Sequence, residues 1–379
     1  MLIFAWTVTL QIGILVFIVA IGLVAQKATY ARREARRTRL DEYHQQRIDP
    51  VLLEDLPAES LDPNSLPFRQ TIRRFCEPIR VELERLSWLS RSSHRASLKR
   101  VMLKLSRELV GETLARLTLA FQVFGFVDEE LKHLTSRRWW VRAEAARNLE
   151  LMQAGEATGD LVLLLGDEEE DVRMEAAMAL VSISGVNSLG PLLTNLRSIS
   201  TWMSVRLSKS VIAMGSAGVP ALVEALGSEH ASVQRFCIDM LAEIGDIRAS
   251  APLIAFVRTA GPELRSRALV AIGILGDEAG KEVLLDHLSD ENESIRVSAA
   301  EGLGYLGSPD AVATLKGHLL HDRIRVRLAA GNALKRIEGG GKECLVEAYG
   351  EADEIGKRVV FQFLEELGVT DTELGRLPQ

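Results

Sequence analysis

Histidine, cysteine and acidic side chains carry most protein chemistry, and in this chain their spacing decides what they can do. His287 and His318 stand 31 residues apart, with His321 one helical turn beyond. A metal site needs a third or fourth ligand close by, and no His-Glu pair supplies one; the adjacent Glu229-His230 run in the reverse order within a turn. These histidines read as side-surface residues. Cys76, Cys237 and Cys344 are few, odd in number and far apart, which is neither a disulfide framework nor a zinc pair and suits a reducing compartment. Gly339-Gly340-Gly341 has no Lys-Ser/Thr after it, so it is a loosened turn rather than a phosphate loop. Serine nucleophile elbows and carboxylate pairs in a plausible cleft are absent from the text. The expectation is a chain without a catalytic constellation, a metal or a cofactor.

Two further sets of residues recur or cluster. An arginine following a branched or apolar residue appears at Arg142, Arg173, Arg206, Arg265, Arg296 and Arg327. It could be a basic ladder for an anionic polymer, but a residue tied to a repeat period usually serves the repeat. The reading adopted is a structural arginine ladder, pairing with acidic turn residues such as Asp171, Asp290 and Asp322 and with backbone carbonyls; Gln234 and Gly356 depart from it. Trp139-Trp140, preceded by Arg137-Arg138, is the densest aromatic and basic cluster. It suits a binding hot spot or a platform for a sugar or base. The alternative is packing against the preceding helices, since the Val141-Arg142 register asks at least one tryptophan to turn inward.

The elements that position these residues come from a repeat. The stretch from Asp290 to Gly307 reads as an acidic turn, a branched residue, an arginine, a small-residue helix and a closing glycine, and similar text occurs at Asp171–Gly185 and Leu264–Gly276. The residue opening each second helix falls at Val141, Val172, Val205, Val233, Leu264, Ile295, Val326 and Ile355, and the closing glycine at Gly155, Gly185, Gly215, Gly245, Gly276, Gly307, Gly339 and Gly368. Two markers keeping one period near 31 predict about eight helix pairs over residues 130–368. Each first helix is more uniformly apolar, and several start with proline, as at Pro191, Pro220 and Pro252. Such a pair cannot bury its stripe alone and must stack on its neighbours.

Leu2–Ala25 is 24 residues without a charge, which as a helix spans roughly 36 Å and crosses a bilayer core. Lys27, Arg32, Arg33, Arg36, Arg37 and Arg39 follow it. By the positive-inside rule, residues 1–26 are a retained anchor of the plasma (inner) membrane, single-pass, with the N-terminus outside and the remainder cytoplasmic. Residues 27–67 read as a basic juxtamembrane helix and a Pro-rich linker, extended from Gln46 to Pro67; residues 68–129 as a helical cap, with patterns near Phe68–Leu89, Arg95–Leu109 and Glu112–Phe124; residues 369–379 as a tail. Net charge is +3 for residues 1–50, −4 for 51–66, +7 for 67–150 and −13 for 151–379, within a total of −7. The acidic array is the opposite of a nucleic-acid footprint, so no nucleic acid is expected.

The pattern acidic-x-x-Val-Arg-x-x-Ala-Ala-x-x-Leu-x-x-x-Gly resembles the short HEAT repeats common in bacterial proteins, the type also seen in phycobilisome-lyase-like proteins. The resemblance implies an all-α fold, a right-handed α-solenoid of HEAT-like helix pairs preceded by one transmembrane helix. It also implies that HEAT-type di-iron hydroxylase chemistry is missing, because the His-Glu pairs are. The order of span, arginine-rich segment, Arg47-x-x-Pro50-x-Leu52-Leu53, cap and array resembles a group of bacterial inner-membrane HEAT proteins, for which an association with a membrane glycosyltransferase of polysaccharide synthesis or export is suspected. The expected function is a non-enzymatic scaffold binding a protein partner, with small residues Ala271, Ser298, Gly302, Ala329 and Ala333 leaving room on the inner face. Rivals are a lyase or chaperone-like protein of the bilin-lyase type, a HEAT-type DNA glycosylase and a peripheral anionic-lipid sensor. Candidate partner-binding residues are Arg137, Arg138, Trp139, Trp140, Phe236 and Arg267, where the repeat text is most distinctive or fails.

Overall fold

The computed structural model describes the backbone of residues 2–53 and 65–369, with side chains from residue 26 onward except those of Ala28, Trp88 and Leu89. The side chains of Leu2–Ala25, the linker residues 54–64 and the tail from residue 370 therefore lie outside the described residues. Every described element is helical, and the chain divides into two compact units, up to Ala157 and from Thr158 on.

The N-terminal unit holds α1 (Leu2–Leu53), α2 (Leu66–Arg85), α3 (Trp88–Leu105), α4 (Gly111–Val123), α5 (Phe126–His133) and α6 (Trp139–Leu151). Ser65 caps α2 by accepting the Phe68 N–H at 3.2 Å. The three helical patterns expected over residues 68–124 are α2, α3 and α4. The stretch expected to be extended from Gln46 is instead helical to Leu53, with Pro50 inside the helix. The reason is burial: Ile48, Val51 and Leu52 form an apolar face that is almost wholly enclosed, and the Arg116 guanidinium donates to the Leu52 carbonyl at 3.0 Å. The last turn is held by tertiary packing that local propensity does not register. α1 packs on α2, α3 and α4, and α5–α6, the first regular helix pair, groups with this unit.

The C-terminal unit alternates first helices α7 (Thr158–Leu164), α9 (Leu189–Asn195), α11 (Val219–Glu224), α13 (Ser250–Val257), α15 (Lys281–His287), α17 (Val312–His321) and α19 (Gly341–Glu351) with second helices α8 (Glu170–Ser184), α10 (Thr201–Ala213), α12 (Ala231–Ile244), α14 (Pro262–Leu275), α16 (Glu293–Leu306), α18 (Ile324–Arg336) and α20 (Glu354–Glu366). Second helices pack on successive second helices from α8 to α20. Leu161, Leu192, Leu222, Leu253, Leu284, Leu315 and Leu345, one per first helix, are fully buried against them. At Gly302 the packing is so close that a Cβ would meet the Leu269 carbonyl oxygen at 2.8 Å and Leu284 Cδ2 at 2.7 Å. The bare backbones of α14 and α16 touch there.

Burial also corrects the register. Val205 is 62% exposed, whereas Met203 is buried together with Leu207 and Val211. Ile355 is 60% exposed, whereas Gly356, Val359 and Val360 are buried. The opening positions are therefore 141, 172, 203, 233, 264, 295, 326 and 356, and every interval becomes 30 or 31. The left-handed residue that ends the second helix follows this corrected register: Gln153, Gly215, Gly245, Gly276, Gly307 and Gly368 each stand 12 positions after the opening residue. Gln153 takes the role expected of Gly155, and Gly340 that of Gly339.

Candidate functional site

The arginine series is built from the helix ends upward. Arg296 Nη1 donates to the Asp290 carbonyl at 2.8 Å and the Glu291 carbonyl at 3.2 Å, while Nε and Nη2 form a fork with Asp322 at 3.0 and 2.8 Å. Arg327 repeats this one unit on, with Nε on the Asp322 carbonyl at 2.8 Å and Nη1 and Nη2 on Asp353 at 2.7 and 3.3 Å. Arg265 donates to the Val257 and Ala260 carbonyls at 3.1 and 3.0 Å and approaches Asp290 at 3.8 Å. Arg173 and Arg142 bond carbonyls six residues back, Asp167 and Ser136, at 2.8 and 2.9 Å. Each guanidinium thus satisfies carbonyls left open where the first helix ends, and three of them also reach an acid that precedes the next second helix.

Arg206 does not belong to the series. In the corrected register its place is taken by Ser204, and Arg206 instead pairs with the buried Glu175 at 3.1 Å. Gln234, a departure in the text, keeps the backbone role by donating to the Leu226 carbonyl at 3.0 Å. Gly356 clears space, since a Cβ there would press on Asp353 Oδ1 at 2.8 Å. Burial pushes the Asp322 carboxyl up, but hydrogen bonds from Arg296, His318 and the Arg323 N–H outweigh it and hold it well below the usual carboxylate range.

The expected binding residues do not form one site. Trp139 and Trp140 meet edge-to-face at 6.1 Å between centroids, with the Arg138 guanidinium 5.7 Å from the Trp140 ring. Both rings are substantially exposed, 38% and 51%, so the inward turn expected of at least one does not occur; Ala145 and Leu149 fill the core face of α6 instead. Arg137 beside them is exposed. Phe236 is 1% exposed and is a core residue of α12, unavailable to a partner.

Arg267 belongs to a groove of about 590 Å³ that crosses α10, α12, α14 and α16. Its guanidinium pairs with Asp239 at 2.7 Å, and the surrounding lining includes Met240, Glu243, Glu263, Val270 and Ile274. Glu263 is paired with Arg235 at 2.8 Å, so Glu243 is the lining carboxylate without an ion-pair partner among the described residues, and it leaves the groove mildly acidic. Ser204 and Ser208 form its α10 edge, while Trp202 and Val205, on the same helix, are each 62% exposed. Of the small residues expected to leave room for a partner, Ala271 and Ser298 border this groove. Gly302, Ala329 and Ala333 are instead consumed by helix–helix contact, where smallness lets backbones approach.

The histidines serve local structure. His287 Nδ1 lies 2.7 Å from the Val283 carbonyl and His318 Nδ1 lies 3.0 Å from Asp322. Among the described residues no group of three His, Cys, Asp or Glu side chains could hold a metal ion. The three thiols are buried and unpaired, and burial pushes Cys76 and Cys237 up to about 12, where the nucleophilic thiolate is scarce. Sequence reasoning missed a buried contact in the N-terminal unit: His44 Nε2 on α1 lies 3.2 Å from His94 Nδ1 on α3, beside Asp41, which accepts from Ser97 at 2.6 Å and Arg100 at 2.5 Å. The two partners are 50 residues apart in the chain, and only the α1–α3 packing pairs them.

The family model described as HEAT repeats matches residues 127–203, 219–296 and 281–365, more than half of the chain. The chain belongs to the HEAT-repeat family. The α5–α6 pair and the C-terminal unit are therefore HEAT repeats, and the gap at residues 204–218 falls on α10 and the turn after it, where Ser204 stands in the arginine's place. Among solved structures, an engineered protein is 21% identical over 80% of this chain and 90% of its own, with a TM-score of 0.35. YibA of E. coli is 16% identical over 72% and 97%, TM-score 0.38. Human deoxyhypusine hydroxylase, in complex with glycerol, is 20% identical over 78% and 98%, TM-score 0.29. No curated protein matches the chain.

Proposed function

We propose that this HEAT-repeat chain is a scaffold, anchored in the plasma (inner) membrane by Leu2–Ala25 with its N-terminus outside, whose cytoplasmic HEAT array holds a protein partner. The observation that carries the reading is the groove across α10–α16, in which Met240, Val270 and the 43% exposed Ile274 line the surface beside Arg267 and Glu243. Aliphatic side chains left open in a groove suit the apolar side chains of a partner segment, and Glu243, which has no ion-pair partner among the described residues, selects a segment that brings a basic residue with them. Because the chain would be held in the bilayer, a partner in the same membrane meets it at high effective concentration. A membrane glycosyltransferase of polysaccharide synthesis or export is the partner class that the wider resemblance suggests.

A photo-crosslinking residue at Ile274, in the groove, and another at the exposed Leu163 of α7 test this in native membranes. The expected result is one discrete adduct from position 274, absent from position 163 and abolished by Arg267→Glu. Recovery of the chain as a free monomer from both positions overturns the reading. Identification of the adduct by mass spectrometry decides whether the partner is a glycosyltransferase.

A further inference from the structure

We propose that the cleft between α1, α3, α5 and α6 binds a phosphate-bearing anion. The cleft has a volume of about 1120 Å³, and α3 supplies most of one wall through Arg91, Arg95, Lys99, Arg100, Lys104 and the following Arg107. Asp41 contacting Ser97 and Arg100, together with His44 contacting His94, shows that α1 runs antiparallel to α3. That register carries Arg37, one turn before Asp41, to the level of Lys104, one turn after Arg100. The arginine-rich run of α1 is thereby laid beside the basic end of α3.

The charges divide the cleft into a balanced part and an unbalanced one. Lys99 is held by Glu129 at 3.0 Å and the buried Glu130 at 2.7 Å, Arg95 by Glu129 at 3.4 Å, and Arg100 by Asp41 at 2.5 Å. Burial raises Glu129, but Lys99 and Arg95 outweigh it and keep the carboxyl below its ordinary range. Arg91 donates only to the carbonyls of Glu84 and Leu86. Arg37, Lys104 and Arg107 have no ion-pair partner among the described residues, and Glu144 is the one acid of the lining that remains to oppose them. Seven cations thus face four carboxylates, counting Asp41, a surplus of three at a concave wall. Like charges converging on a cavity repel one another until an anion enters. Two guanidiniums and an ammonium offer the forked and point donors that phosphate oxygens accept. The ligand comes either from an anionic lipid headgroup or from a soluble phosphate compound, and the chemistry is the same. The inference does not rest on the partner reading.

The full chain in uncharged detergent, titrated calorimetrically with inorganic pyrophosphate at fixed ionic strength, forms one arm of the test. Native mass spectrometry of lipid retained from phosphatidylglycerol against phosphatidylcholine forms the other. Each of Arg37→Gln, Lys104→Gln and Arg107→Gln is expected to weaken the responding arm about tenfold, the scale of one charge-assisted hydrogen bond, and the triple variant to abolish it. Lys357→Gln/Arg358→Gln, on α20, is the control with unchanged binding. Loss confined to pyrophosphate assigns a soluble ligand, and loss confined to phosphatidylglycerol assigns the headgroup; either supports the proposal. All three side chains are at the surface, so the variants should melt as the wild type does. Equal binding by wild type and triple variant in both arms, or equal loss in the α20 control, overturns it.

Discussion

Acidification should loosen α1 from the rest of the N-terminal unit, because His44 is buried there in its neutral form. Burial and, second, the neighbouring His94 lower its pKa from 6.5 to about 4, against the opposing pull of Glu82 on α2 and Asp41 on α1; Arg47 lowers it further. The sign follows from proton counting. Between the two values the unfolded chain binds the proton and the folded chain does not, so stability rises with pH across that window and is lost as pH falls. The difference of about 2.5 pH units corresponds to about 3.4 kcal/mol when fully developed below pH 4, and about 2 kcal/mol of it is lost between pH 7 and pH 5. Urea denaturation of the full chain in detergent at pH 7 and pH 5, followed by a fluorophore on α1, reads the effect. His44→Gln removes the titrating group while leaving a side chain that can still meet His94, and its loss over the same interval should be smaller by about 2 kcal/mol. The reasoning is refuted if wild type and His44→Gln lose the same stability between pH 7 and pH 5.

Gly302→Ala should destabilise the HEAT array by about 2 kcal/mol, because overpacking against the Leu269 carbonyl exceeds the helix-propensity gain. Gly317→Ala, on an open face of α17, should instead stabilise by about 0.5–1 kcal/mol; melting curves that move in the same direction for both would contradict the close-approach argument. Asp322→Asn breaks the fork from Arg296 and the contact with His318, at a cost of about 2 kcal/mol near neutral pH. Since the Asp322 carboxyl is held below its ordinary range, that contribution is present above about pH 4 and is lost as pH falls further. The gap between wild type and variant melting should therefore narrow at pH 3.

Much of the array is legible in the text because its period is written twice, once in the opening apolar residue and once in the closing glycine. The slip at Val205 shows what letters alone do not carry. Val205-Arg206 spells the repeat dipeptide, yet the buried face of α10 is Met203, Leu207 and Val211, and only the fourfold spacing from a buried start reveals it. Gln153 escapes for the reverse reason, since a left-handed residue that is not glycine leaves no mark in a search for glycines. Phe236 stands where the repeat text fails, but size in a core position reports volume to be filled rather than an offer to a partner. The basic cleft and the His44–His94 contact are long-range products of α1 folding back along α3. No window of the sequence contains both sides of either.

The arginine fork has one further consequence. In the last repeats each unit grips the next through Arg265 to Asp290, Arg296 to Asp322 and Arg327 to Asp353, always in the same direction along the chain. A link of this kind is interchangeable: excising one whole period returns an arginine to an aspartate at the same offset, so the array can lose or gain length in whole steps without leaving an orphaned charge. A cut of any other length strands a guanidinium at one edge and a carboxylate at the other. The joint therefore acts as a length standard, admitting variation in the number of repeats and resisting it in the size of each.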